Sequence, residues 1–454
     1  MTLYNHFVKK ISFPLLTRHY GIPNLFKELN KLEESQFWDK NKIETLQLKK
    51  LSDLLTHAYK TTQYYKNLFD DSGFSPESLC DFSDMKKIPY LTKNIIRENS
   101  NSLVSNCYRE KDLHSSETGG TTGVKMKFWR NNDCLSIKEA SRFRFEKWAG
   151  WDFGQRMGLV WPAQQDYVGH WSIKSKLLNE LYERQVVLPA AILNESMIDN
   201  YISELKQKKP TMIRAFNSPL MEVANVIIDK SHKIDFVKGI VTTGEPLFIH
   251  QRNIIEKAFN CGVYNSYRSR EAGTIAQECS EHKGLHINCE TLYVEVIKSD
   301  GKNNDGDQIG ELVVTDLSNY GMPLVRYKIG DMASLSSRTC KCGRGLPMLD
   351  DISGRTGDYL LAPNGSKIAA GSMVLYLVDE APGLIGQVQI IQDQKNHLLI
   401  KITPHPHPTE EIIEYQRRTI TRLFGPDMGV TFEIVDKIPR SDSGKYFFTK
   451  RLID

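Results

Sequence analysis

The sequence predicts an α/β protein: a large N-terminal α/β domain with a β-rich subdomain, followed by a small C-terminal α+β domain. Three observations carry this. Between about residues 133 and 260, helical runs alternate with short apolar segments, as in strands joined by helical crossovers in a largely parallel sheet. Between about 285 and 335 the pattern changes to strands separated by turns. After Asp358 a unit of roughly 95 residues begins with its own strand and helix signals.

The elements follow in chain order. Residues 1 to about 110 read as mostly helical; Leu48, Leu51, Leu54, Leu55 and Ala58 recur at the spacing of one helical face. Ser75-Pro76 reads as a helix start, with Ser at the N-cap and Pro in the first turn. Residues 125–129 alternate as a strand should. Apolar strands are expected over 157–161, 211–216 and 239–243, with helices over 220–229 and 250–259 between them. Strands are expected over 293–296 and 311–315, set off by Ser299-Asp300-Gly301 and Asp305-Gly306 turns, within a β-rich subdomain of about 275–350. The large domain takes 1–357 and the small one 358–454. The small domain opens on the hairpin signature Pro363-Asn364-Gly365 and continues with strands over 387–392 and 398–403 and a helix over 410–423.

Bulk properties exclude several classes. Fifty-nine basic and 55 acidic residues give a net charge of +4, too balanced for a nucleic-acid partner. No apolar run approaches the ~20 residues of a membrane span. The first 25 residues mix Lys9, Lys10, Arg18 and His19 with apolar residues and lack a compact apolar core and small-residue cleavage site, which argues against a secretory signal. Eight cysteines in 454 residues fit a reducing, cytoplasmic setting.

The chemistry is concentrated in a few segments. Ser115-Ser116-Glu117-Thr118-Gly119-Gly120-Thr121-Thr122-Gly123 combines small hydroxyls with glycines, so its backbone N–H groups can form a concave anion site. It is not the common P-loop, because Val124-Lys125 follows where Lys-Ser/Thr is required. Thr243-Gly244-Glu245-Pro246 reads as a sharp turn after a strand. Tyr267-Arg268-Ser269-Arg270-Glu271 offers an aromatic face and, four residues on, a carboxylate able to hold Mg²⁺. Arg326 precedes Tyr327-Lys328-Ile329-Gly330-Asp331, whose carboxylate can accept from ribose hydroxyls. Ser443-Gly444-Lys445 presents one lysine ten residues from the end.

In this order the segments resemble the motifs of the adenylate-forming enzymes (acyl-CoA synthetases, luciferase and peptide-synthetase adenylation domains), most closely the phenylacetate–CoA ligase branch and its CapK-like members. The resemblance runs from about residue 45 to the C-terminus. It implies that Thr118, Gly119, Gly120, Thr121, Thr122 and Gly123 wrap the β- and γ-phosphates of ATP. Gly244, Glu245 and Pro246 would lie against the adenine, Tyr267 would stack on it, and Glu271 would ligate Mg²⁺. Asp331 would hold the ribose hydroxyls, with Arg326 on phosphate or ribose. Gly354-Arg355-Thr356-Gly357-Asp358 resembles the hinge to the small domain, Arg355 being a nucleotide contact and Asp358 the pivot. Lys445 resembles the catalytic lysine. The chain departs from the family in lacking a Pro shortly after the phosphate loop and in having Arg268 where Gly is usual.

Cys279, His282, His286 and Cys289 lie within eleven residues, and Cys340-Lys341-Cys342 about fifty residues on. Thiolates and imidazoles in two such clusters fit a tetrahedral Zn²⁺ site. The resemblance favours Cys279, His286, Cys340 and Cys342, with His282 the competing imidazole and a structural role for the metal. The acid's pocket is expected near Trp161-Pro162-Ala163-Gln164-Gln165-Asp166-Tyr167 and Ala215-Phe216-Asn217-Ser218. The expected reaction is ATP-dependent activation of a small carboxylic acid and transfer to CoA. An amine or separate carrier protein is the alternative acceptor, and a non-catalytic nucleotide-binding role within an assembly is a third reading. A homodimer is left open.

Overall fold

The computed structural model describes residues 3–118, 126–162, 173–190, 193–298, 309–355, 359–365, 367–369, 387–403, 410–439 and 448–453. Strands β3 (Met157–Trp161), β4 (Gln185–Pro189), β5 (Met212–Phe216) and β6 (Gly239–Thr243) are parallel, and β6 also pairs in parallel with β7 (Gly262–Ser269). Every residue of β6 is buried, as expected of a strand covered by helices on both faces. The expected helices are present as Asn217–Asp229 and Ile249–Phe259. With their neighbours they bury Val160, Ile213, Leu220, Ile240, Ile255 and Phe259 in one core.

At β7 the sheet changes direction. Strand β7 pairs antiparallel with β8 (Gly273–Glu278), and the antiparallel run continues through β9 (Leu285–Ile287), β10 (Leu292–Ile297), β11 (Gly310–Asp316), β12 (Tyr327–Leu335) and β13 (Met348–Arg355). Among the described residues the whole is one eleven-stranded sheet, ordered β10-β11-β12-β13-β9-β8-β7-β6-β5-β3-β4. The N-terminal helices cover the antiparallel half. Helix Lys40–Thr61 begins on an Asp39 side chain that accepts from the Lys42 N–H at 2.9 Å, and it buries Leu51, Leu54, Leu55 and Ala58 against Ile275, Leu292, Val314 and Tyr327. Ser75 does not cap a helix: its side chain makes no capping bond, and Pro76–Ser78 is a single 3₁₀ turn.

A separate hairpin, β1 (Leu113–Thr118) with β2 (Met126–Asn131), brackets the glycine-rich segment. Toward the C-terminus, β14 (Tyr359–Leu361) and β15 (Lys367–Ala369) pair across the Pro363-Asn364-Gly365 turn, where Gly365 has φ +86°. Four further strands, β16 (Val388–Gln394), β17 (His397–Ile402), β18 (Gly429–Ile434) and β19 (Thr449–Arg451), form a sheet ordered β18-β17-β16-β19. Helix Glu410–Phe424 packs on it, and Phe248 of the large sheet's connections joins that core. No helix among the described residues is long and apolar enough to cross a membrane.

Candidate active site and metal centre

Parallel sheets bind ligands at the carboxyl ends of their strands. Three of the predicted site segments meet there. The turn after β6 requires its glycine: Gly244 has φ +83°, and a Cβ added to it would lie 2.3 Å from the Phe216 ring. The turn is fastened to the start of helix Asn217–Asp229. Asn217 Nδ2 donates to the carbonyls of Glu245 (2.9 Å) and Pro246 (2.6 Å), and Glu245 Oε2 accepts from the Ser218 N–H (2.8 Å) and Oγ (2.5 Å). The Glu245 carboxylate thus sits at a helix N-terminus, where the dipole favours it.

Tyr267 on β7 and Asp331 on β12 are separated by three strands in the sheet order, yet Tyr267 Oη donates to Asp331 Oδ2 at 2.5 Å. The antiparallel half therefore curls until its members face each other across the site. A second bond of the same kind lies beside it. Tyr327 Oη donates to Glu271 Oε1 at 2.9 Å, with Glu271 buried in the β7–β8 turn. The Glu271 carbonyl accepts from Lys138 Nζ at 3.2 Å, and Lys138 pairs with buried Asp316 at 2.7 Å. Two carboxylates, a tyrosine ring and a rigid turn are thereby placed together. Asp331 also lies opposite Arg355 in the β12–β13 ladder.

Arg326 departs from expectation. It is 2% exposed; Nε and Nη2 donate to Glu295 at 3.1 and 2.9 Å, and Nη1 to the Ile88 carbonyl at 2.7 Å. Its guanidinium lies over Tyr90, 4.3 Å from the ring centroid. All three nitrogens are committed to protein partners, which favours a structural ion pair over the expected phosphate or ribose contact. Its φ of +51° marks the kink that starts β12, held by a bond from its N–H to Thr315 Oγ1 at 2.9 Å. Gly119, Gly120, Thr121, Thr122 and Gly123, the 163–167 segment, the Asp358 pivot and Lys445 lie outside the described residues. Thr118 ends β1.

The cysteine and histidine clusters converge on one point. Ligand atoms of Cys279, His286, Cys340 and Cys342 all lie within 4.8 Å of one another, with Cys279 Sγ 3.5 Å from Cys340 Sγ and Cys342 Sγ 3.4 Å from His286 Nε2. A tetrahedron with metal–sulfur bonds of about 2.3 Å has edges of about 3.8 Å, so these donors suit zinc. His286 Nδ1 lies 3.2 Å from the Leu346 carbonyl, which fixes the ring with Nε2 toward the thiols. Burial pushes the imidazole down to about 4, leaving that nitrogen neutral at pH 7. His282 is elsewhere: φ +50° turns it toward Glu278 Oε2 at 3.2 Å and Arg252 at 3.1 Å. Cys289 is buried next to Glu290.

Residues 360–452 match the CapK C-terminal domain. The full chain is 24% identical over 446 residues to Protein CapK of Staphylococcus aureus, covering 95% of this chain and 92% of that one. Over nearly its whole length the chain is similar to CapK and to the phenylacetate–coenzyme A ligases. It is 22% identical over 443 residues to the phenylacetate-coenzyme A ligase of Thermus thermophilus, with 91% and 97% of the two chains covered. In fold it is similar to 2-hydroxyisobutyryl-CoA ligase in the postadenylation state in complex with R3-HIB-AMP, at a TM-score of 0.74, 18% identity and coverage of 92% and 91%. The large α/β domain of the adenylate-forming fold is thus its architecture.

Sequence reasoning missed two things. Tyr327 was visible only as part of the Asp331 segment, with no sign that it holds Glu271. The buried charges around Glu146, among them the i,i+4 pair of Arg142 and Glu146, have no counterpart in the sequence motifs.

Proposed function

We propose that the protein is an AMP-forming acid–thiol ligase that activates a carboxylic acid with ATP and passes the acyl group to CoA. The observation that carries this is the convergence of Tyr267, Asp331, Glu271 and the Gly244 turn at the carboxyl ends of the strands, in a chain related along 95% of its length to CapK. In this reading Tyr267 stacks on adenine, Asp331 takes the ribose hydroxyls, and the Gly244-Glu245-Pro246 turn bounds the base. Thr118 to Gly123 wrap the β- and γ-phosphates, and Arg355 lies on the nucleotide side of the hinge.

The chemistry joins two anions. A carboxylate oxygen attacks the α-phosphorus and pyrophosphate leaves; the CoA sulfur then attacks the acyl carbon and AMP leaves. Mg²⁺ bound at Glu271 would neutralise part of the phosphate charge. Tyr327 fixes the Glu271 carboxylate through the bond at Oε1. Lys445 brings a compact positive charge to the α-phosphate as charge develops there, and a small domain pivoting at Asp358 lets it withdraw before the thiol step. Cys279, His286, Cys340 and Cys342 would hold a closed, structural zinc with no place in the reaction.

Carboxylate-dependent ATP–pyrophosphate exchange across aryl, fatty, hydroxy and amino acids tests the first half. Loss of free CoA thiol, against candidate amines, tests the second. ATP binding without exchange for any acid would overturn the ligase reading in favour of a nucleotide-binding role, and exchange without thiol loss would move the acceptor to an amine or carrier.

A further inference from the structure

Next to the Gly244 turn, the carboxyl ends of β3, β5 and β7 bring together Trp161, Phe216, Arg214 and Arg268. Trp161 and Phe216 pack edge to face at 4.6 Å, and the Phe216 ring is the one a Gly244 side chain would strike. The Arg214 guanidinium lies 5.5 Å from the Trp161 ring centroid. Arg268 directly follows Tyr267, the proposed adenine platform. In the ligase reading this patch borders the cleft that takes the acid.

Its three arginines (Arg142, Arg214, Arg268) and three glutamates (Glu139, Glu146, Glu183) balance in number but are paired unevenly. Glu146, with a fully buried side chain, accepts from Arg214 Nη1 at 2.7 Å and from Arg142 Nη1 at 3.0 Å. Arg142 is matched a second and third time by Glu139 at 2.5 Å and Glu183 at 2.8 Å. Arg268 reaches Glu146 only at 4.0 Å, and its Nε donates to the neutral Ser266 Oγ at 2.8 Å. Among the described residues its Nη2 is buried with no hydrogen-bond partner, and so is Arg214 Nε. Buried guanidinium nitrogens are costly to leave unpaired. Burial pulls the Arg268 guanidinium down to about 9, which still leaves it charged at neutral pH. Its side chain is 14% exposed, while Nη2 itself is covered.

We propose that Arg268, with Arg214 beside it, forms an anion subsite, and that the acid activated here carries a second anionic group, a distal carboxylate or phosphate-type group, which this subsite receives. The inference rests on the ligase reading for where the acid lies. A guanidinium presents paired donors that match carboxylate and phosphate alike, and one added negative charge satisfies the unpartnered nitrogen. The same charge repels acids with a distal ammonium and leaves a plain fatty chain with a desolvation cost.

The test is calorimetric titration of the full-length protein with AMP present, so that binding is read without turnover. The probes are matched pairs: butyrate and succinate, pentanoate and glutarate, benzoate and terephthalate, with 3-phosphonopropionate as the phosphate-type arm. Binding at least 10-fold tighter for the dianionic member of a pair is expected, with about 10²-fold loss in Arg268→Gln and partial retention in Arg268→Lys. Equal or weaker binding of all dianionic members, or a preference that survives Arg268→Gln, overturns the subsite. Should Arg268→Gln fail to fold, the wild-type preference and Arg214→Gln decide in the same way. Pyrophosphate exchange with the same acids separates the two readings. Arg268-dependent dianion binding without exchange retains the subsite and removes the ligase, and exchange with monoacids alone does the reverse.

Discussion

Replacing Glu295 by Gln tests whether Arg326 is held for structure or for chemistry. The two side chains are buried, their residues 3% and 2% exposed, and they share two hydrogen bonds. The amide introduced by Glu295→Gln would keep one acceptor, but its N–H groups would face a guanidinium that only donates, leaving a buried positive charge unmatched. Breaking a buried pair in this way costs about 3–5 kcal/mol. At a slope of about 3 kcal/mol per molar urea, the unfolding midpoint falls by about 1 M or more. Arg326→Met should cost a similar amount by stranding Glu295, and Arg326→Met with Glu295→Leu should recover part of the loss, since the charge leaves with its partner. Urea titration followed by tryptophan fluorescence reads the midpoint, and pyrophosphate exchange in dilute buffer reads turnover. Arg326→Met with an unmoved midpoint and about 10³-fold slower exchange would refute this account and put the guanidinium on the substrate.

Other outcomes are equally specific. Gly244→Ala must drive a Cβ into the Phe216 ring at a positive φ; a loss of about 1–3 kcal/mol and weakened ATP binding by calorimetry are expected. Lys445→Ala should slow exchange by about 10²–10³-fold with ATP affinity nearly intact, and unchanged exchange would take the lysine out of the mechanism. Elemental analysis should find one zinc per chain. Chelation or Cys340→Ser should then lower the melting temperature, and a metal-free protein with full stability and activity would rule out a structural zinc. Arg156 donates to both Glu180 oxygens at 2.8 Å and holds that carboxyl below its ordinary 4.5 against the opposing effect of burial. The stabilisation is present above about pH 4.5 and lost as pH falls through the lower folded value, so Glu180→Gln should flatten the melting profile below about pH 4.5.

What the sequence disclosed follows physical lines. Strands β3 and β6 are found over the predicted residues because a strand buried on both faces is rich in apolar and β-branched residues. Boundaries elsewhere slip by a few residues: the helix expected from 220 begins at Asn217, whose side chain reaches back to the Glu245 and Pro246 carbonyls, a contact invisible to periodicity. The two Cys/His clusters were legible from spacing and the resemblance favoured His286; the structure adds a positive φ that sends His282 toward Arg252. Arg326 misled because its neighbours in sequence belong to the site while its side chain points to Glu295. The Tyr267–Asp331 bond spans 64 residues and three intervening strands, and only the curl of the sheet makes it.

The reversal of direction at β7 has a consequence for assembly of the chain during synthesis. On one side β7 completes a parallel sheet whose strands are joined by long crossovers; on the other it starts a hairpin with β8 through the Arg270-Glu271-Ala272 turn. Parallel pairing closes large loops and is slow, whereas a hairpin closes locally and fast. When β7 leaves the ribosome its outer edge is an open row of backbone donors and acceptors, and a few residues later β8 covers it. A nascent chain stalled between those points would present that edge to other chains, and the short turn carrying Glu271 keeps the interval brief.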